Sequence, residues 1–133
     1  MPSVAVERVR IPFVQRARLS LGGVASEAFL LDLGLAGVFV ETTQELLVDH
    51  SVEITFRLPG NEIPVQARAR VAWLNSGKTP QGGRPAGAGL EFVALSPADR
   101  ERLREFLADY CRRDGAARRF ARPWPATDSV GGK

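Results

Sequence analysis

The stretch Asp32-Leu33-Gly34-Leu35-Ala36-Gly37, followed at once by Val38-Phe39-Val40-Glu41-Thr42, decides the fold. It reads as a strand end, a short turn between glycines, and a second strand. Ala28 to Leu33 forms the mostly apolar first strand, and Val38-Phe39-Val40 the second. Gly37 is expected to permit a tight turn or a positive φ, which a residue without Cβ adopts at no steric cost. Polar residues from Glu41 to Glu45 end the pair.

Outward from this turn, the same period of two recurs. Phe13 to Ser20 alternates roughly, and Leu21-Gly22-Gly23-Val24 reads as a turn. Val52, Ile54, Phe56 and Leu58 alternate with Glu53, Thr55 and Arg57, the pattern of a strand with one wet face. Pro59-Gly60-Asn61 is a turn signal. Val65, Ala67, Ala69, Val71 and Trp73 alternate with Gln66, Arg68, Arg70 and Ala72, which places Trp73 on the apolar face. Asn75 to Ala86 is rich in Gly, Pro, Ser and Lys and is expected to be a mobile hairpin loop. Gly87 to Ala94 reads as the last strand, with Leu90 and Phe92 facing one way.

The period then changes. Ser96-Pro97-Ala98-Asp99 combines an N-cap, a proline at the first helical position and an acid at the third. Leu103, Phe106, Leu107, Tyr110 and Cys111 form one apolar stripe on a helix. Arg100, Glu101, Arg104 and Glu105 make its solvated side, and Gly115 is a natural stop. These elements predict a mainly β fold: a six-stranded antiparallel barrel with a C-terminal helix covering one end. Closing the sheet removes edges that would otherwise invite association. Residues 1–7 are read as an N-terminal arm, 8–115 as barrel plus helix, and 116–133 as a basic, disordered tail.

Composition bounds the function. The 133 residues suit a single domain, 44% hydrophobic and 25% charged, with one cysteine, Cys111, and no internal disulfide. A lone cysteine fits a reducing cytoplasm, Met1 to Arg10 has no apolar signal core, and no run is long enough to span a bilayer. The expected location is cytoplasmic. The net charge of +3 divides unevenly. From Cys111 onward, Arg112, Arg113, Arg118, Arg119, Arg122 and Lys133 stand against Asp114 and Asp128, leaving +4 there and −1 on the rest. A nucleic-acid-binding face on the body is therefore not expected.

Four blocks, taken in order and spacing, give the chain a family resemblance. They are Arg10-Ile11-Pro12-Phe13, Asp32 to Thr42, Ile63 to Trp73, and Gly87-Ala88-Gly89-Leu90-Glu91-Phe92 with Leu95-Ser96-Pro97. Together they resemble the PilZ domains, small β-barrels known as receptors for cyclic di-GMP, over roughly Arg8 to Tyr110. The turn resembles that family's (Asp/Asn)-x-Ser-x-x-Gly motif, with Asp32 and Gly37 in place and Gly34 at the serine position. Ligand-binding members also carry Arg-x-x-x-Arg before the barrel, whose forked donors suit phosphates and guanine edges. Here Arg10 holds the second position, Val6 stands at the first, and Arg8 lies between them.

The resemblance implies a candidate, degenerate cyclic di-GMP site at Arg8, Arg10, Asp32, Gly34 and Gly37. Asp32 would accept hydrogen bonds from a guanine edge. Losing one arginine and one serine contact would cost roughly 2–4.5 kcal/mol, on typical hydrogen-bond values. That is something like a 30- to 1,000-fold loss of affinity. Weak or absent cyclic di-GMP binding is expected, and no other cofactor or metal. The resemblance also implies a bacterial regulator of motility, polarity or surface behaviour that works through an unidentified protein partner. Two alternatives stand beside it: a working cyclic di-GMP receptor using Arg8, Arg10 and Asp32, and a small-barrel nucleic-acid binder through the basic tail.

The remaining chemistry-bearing residues are sparse. His50, the single histidine, has no metal-ligand spacing. Cys111 on the apolar stripe suits a small buried hydrophobe. Catalysis is not expected. Arg16, Arg18, Arg68 and Arg70 sit on strand faces, either as a partner-binding patch or as an ordinary wet face. In the tail, Arg118, Arg119, Phe120 and Trp124 combine cations with aromatics and are candidate partner-binding residues.

Overall fold

The computed structural model describes residue 6 and residues 9–75 and 86–113. Arg8, most of the Asn75–Ala86 loop, Gly115 and the tail candidates Arg118, Arg119, Phe120 and Trp124 lie outside the described residues.

The chain runs β1 (Arg10–Leu21), β2 (Val24–Gly34), β3 (Gly37–Glu41), β4 (Ser51–Phe56), β5 (Val65–Asn75), β6 (Gly87–Leu95) and α1 (Pro97–Arg113). The six strands close into a barrel in the order β1-β2-β3-β6-β5-β4, and every neighbouring pair is antiparallel. The expected architecture is therefore the observed one. β3 and β4, consecutive in sequence, are not neighbours in the sheet. The chain between them reaches β5, where Asp49 N donates to Val71 O at 2.8 Å and Val71 N donates to His50 O at 2.9 Å.

Local chemistry sets the turns. β1 and β2 join through Gly22 and Gly23, both with positive φ (61° and 86°), as the favoured two-residue hairpin turn requires. β2 begins at Val24, four residues before the apolar run, because these flanking residues pair with β1 out to Leu21↔Val24. The turn after Asp32 lies between the two glycines, as the sequence suggests. Leu35 and Ala36 form it, Gly34 ends β2 and Gly37 begins β3. Gly37 is not among the positive-φ glycines of the described residues, which are Gly22, Gly23 and Gly60.

The barrel core is filled by Ile11, Leu19, Leu30, Leu33, Val38, Val40, Val52, Ile54, Val65, Val71 and Leu90, with Leu103 and Leu107 entering from α1. Phe106 meets Phe13 edge-on at 5.4 Å between centroids, so the helix seals the mouth beside the start of β1. Its first turn is fastened separately. Ser96 Oγ accepts from Asp99 N at 3.0 Å as the N-cap, and Asp99 Oδ2 accepts from Gln66 N at 3.2 Å. Arg102 donates to the carbonyls of Ile63 (2.6 Å) and Pro64 (3.1 Å). Removing the cap by Ser96→Ala should destabilise the domain by about 1 kcal/mol in urea unfolding.

Two β-bulges decide which side chains leave the core. Leu30 pairs with Val40 and Asp32 with Phe39, so Leu31 is one extra residue on β2. Val71 pairs with Leu90 and Trp73 with Gly89, so Ala72 is one extra on β5. An extra residue reverses the inward–outward phase beyond it. Trp73 is therefore not on the apolar face with Val65 to Val71, as strict alternation predicts. It stands on the outer face of the barrel.

Candidate functional site

The bulge at Leu31 aims Leu30 and Leu33 both into the core and leaves Asp32 outside. Register then builds a row across the outer surface. Asp32 on β2 lies opposite Phe39 on β3, Phe39 opposite Gly89 on β6, and Gly89 opposite Trp73 on β5. The Phe39 and Trp73 rings stack at 5.2 Å with 22° between planes. Phe39 is completely buried although it points away from the barrel core. Gly89 makes room for this stack. A Cβ there would lie 2.5 Å from Trp73 Cε2 and 2.6 Å from Cδ1.

β1 supplies the rest. Arg10 pairs in register with Gly34, and its guanidinium makes an ion pair with Asp32 two residues back along β2. The pair is desolvated: the Arg10 side chain is 6% exposed and that of Asp32 17%. The open position at Gly34 is not empty space. A Cβ there would meet the carbonyl oxygen of Val9 at 2.9 Å and Cγ of Arg10 at 3.3 Å. Val6, where the resemblance sets an arginine, is completely buried in the barrel core, and its carbonyl accepts from Val9 N at 3.2 Å.

Of the residues named from sequence, Arg10, Asp32, Gly34 and Gly37 therefore come together at one end of the barrel. Arg10 reaches the Asp32 turn, which the receptor alternative requires, but it arrives as Asp32's own partner. Val6, picked out by its spacing, joins them; Phe39, Trp73 and Gly89 complete the region and were not foreseen as part of it. A glycine inside an apolar strand signals close approach of a neighbour, and Gly89 carried that signal. The bulge that exposes Trp73 to it had no sequence mark.

The other candidates separate from this region. His50 Nδ1 accepts from Leu47 N at 3.2 Å, a local turn contact. Cys111 is buried on α1. Among the described residues there is no group of His, Cys, Asp and Glu able to hold a metal ion, and no helix long and apolar enough to cross a membrane. Arg70 bridges Glu91 (2.6 Å) and Asp49 (2.7 Å), and these hydrogen bonds, Glu91 first, raise its pKa above the ordinary arginine value.

A family model, the PilZ domain, matches residues 7–109. The chain belongs to the PilZ family. Among solved structures, this PilZ chain is similar to the Bacillus subtilis inhibitor of motility (MotI/DgrA), at TM-score 0.67 and 16% identity, over 84% of this chain and 53% of that one. It thus spans about half the length of that protein, and the likeness is one of fold. The PilZ domain of CeSA from a cellulose-synthesizing bacterium is also similar, at TM-score 0.49 and 18% identity, over 77% of this chain and 97% of that one. No curated protein matches the chain.

Restoring the family's serine tests how the signature region is packed. Gly34→Ser drives a side chain against the Val9 carbonyl, so it should cost about 1–3 kcal/mol in urea unfolding.

Proposed function

We propose that this chain is a non-enzymatic PilZ-type signalling adaptor that acts through contact with a partner protein, with weak or no cyclic di-GMP binding. One observation carries the reading: the signature's polar groups are engaged within the chain. Asp32 is ion-paired with Arg10, and the space beside Gly34 is taken by Val9 and Arg10. A dinucleotide would have to share the Asp32 carboxylate with the Arg10 guanidinium, and neither position 34 nor Val6 offers a side-chain polar contact in return. Val6 serves the core instead.

A role in bacterial motility, polarity or surface behaviour fits the family, and the similar Bacillus subtilis protein is by name an inhibitor of motility. The receptor alternative keeps one supporting observation, the closeness of Arg10 to Asp32. Isothermal titration with cyclic di-GMP separates the two. We expect no saturation at low-micromolar dinucleotide; a low-micromolar Kd would establish the receptor reading and remove this one.

A further inference from the structure

On the side of β1 away from the signature turn, the β1–β4 pairing ends at Ala17↔Phe56. An open groove of about 440 Å³ lies there, lined by Arg16, Arg18, Arg57, Glu27, Thr55 and Pro64 among others. Three of its residues are arginines. Arg18 and Arg57 are exposed and make no ion pair among the described residues. Arg16 is shared with Glu27 at 3.7 Å, but both are mostly exposed (67% and 69%), so the pair is weak and solvent-screened. Arg16 also lies 5.9 Å from the centre of the Phe29 ring, which is 40% exposed.

We propose that this groove receives an extended acidic segment of a partner protein. The occupant follows from charge and geometry. Arginine forks favour carboxylates, and Glu27 is the single carboxylate-bearing residue of the lining. Arg16 and Arg18 stand two apart on a strand, about 6.6 Å along it. An extended partner with acids at every second residue repeats at the same spacing. Phe29 offers an apolar flank beside them. Among the arginines first grouped on strand faces, Arg70 does not belong, because Glu91 and Asp49 neutralise it. The basic tail of this chain is the wrong charge to be the occupant. The inference rests on the adaptor reading, and gives that adaptor's contact surface a location.

The test uses the full chain and fluorescence anisotropy. The probe is a labelled ten-residue peptide alternating glutamate and threonine, with a glutamine–threonine peptide and a ten-nucleotide oligothymidylate as comparisons. Saturable binding of the acidic peptide is expected, with none for the glutamine peptide. Arg18→Glu/Arg57→Glu should weaken it about tenfold, as two lost exposed pairs plus repulsion imply. Arg18→Gln/Arg57→Gln should weaken it by a smaller factor. Arg100→Glu/Arg112→Glu, an equal charge change on α1, should leave it within about twofold. No saturable acidic-peptide binding, equal loss in the α1 variant, or no loss in the groove variants overturns the proposal. So does oligothymidylate binding that is tighter and lost with Arg18 and Arg57, which would make the groove a nucleic-acid site. Cyclic di-GMP titration is read separately, so failure of the adaptor reading is distinguishable from failure of the groove.

Discussion

Replacing Asp32 by alanine should destabilise the fold by about 3–5 kcal/mol, read as a lower urea midpoint with an unchanged slope. The cost does not come from the loss of a favourable pair as such. It comes from leaving the Arg10 guanidinium desolvated, at 6% exposure, without its carboxylate. The converse change is milder in principle. Arg10→Met removes the charge and leaves a flexible apolar chain, and Asp32 at 17% exposure sits closer to solvent. A double-mutant cycle with Arg10→Met and Asp32→Leu should therefore show strong coupling, with the double variant more stable than Asp32→Ala. Additive effects would mean that the two residues do not act as a pair.

Gly89→Ala should cost about 2–4 kcal/mol, combining overpacking with loss of the aromatic stack. The added methyl would occupy the position of the Trp73 indole, 2.5 Å from Cε2. The indole must then leave Phe39, which is completely buried beneath this face. The measurement is tryptophan fluorescence in a Trp124→Phe background, since Trp73 and Trp124 are the two tryptophans. A red-shifted emission with lowered stability is expected. Unchanged emission would show that Trp73 is not held against Gly89. Gly87 is constrained differently, because a Cβ there would overlap the Val40 carbonyl across the β3–β6 pairing.

The barrel and its sealing helix were legible in the sequence because their marks are local. Alternation marked β1, β4 and β5, Gly22-Gly23 and Gly60 marked turns that need left-handed backbone, and Ser96 with Asp99 marked the helix start. The strand order was less legible. β3 and β4 are consecutive but separated in the sheet, and only closure of β1 on β4 reveals that. Closure is a property of the whole sheet and leaves no trace at residues 42–50.

The signature residues divide in the same way. Asp32, Gly34, Gly37 and Val6 could be picked out by spacing alone, and Val6 and Gly34 read as two absences. In the folded chain neither is an absence. Val6 fills the core, and Gly34 admits the Val9 carbonyl and the Arg10 side chain. Packing makes each of them a structural position, and packing is not written in spacing.

The sequence by itself determined the elements, the family resemblance and the identity of the polar residues at the turn. The tertiary structure alone decided where those residues point. One extra residue at Leu31 turns Asp32 outward toward Arg10, and one at Ala72 turns Trp73 outward onto Phe39. A strand's side chains alternate with a period of two, so a single inserted residue reverses every face beyond it. Leu30-Leu31 and Val71-Ala72 look like ordinary strand in sequence, because the insertion is defined only by the partner strand it fails to match.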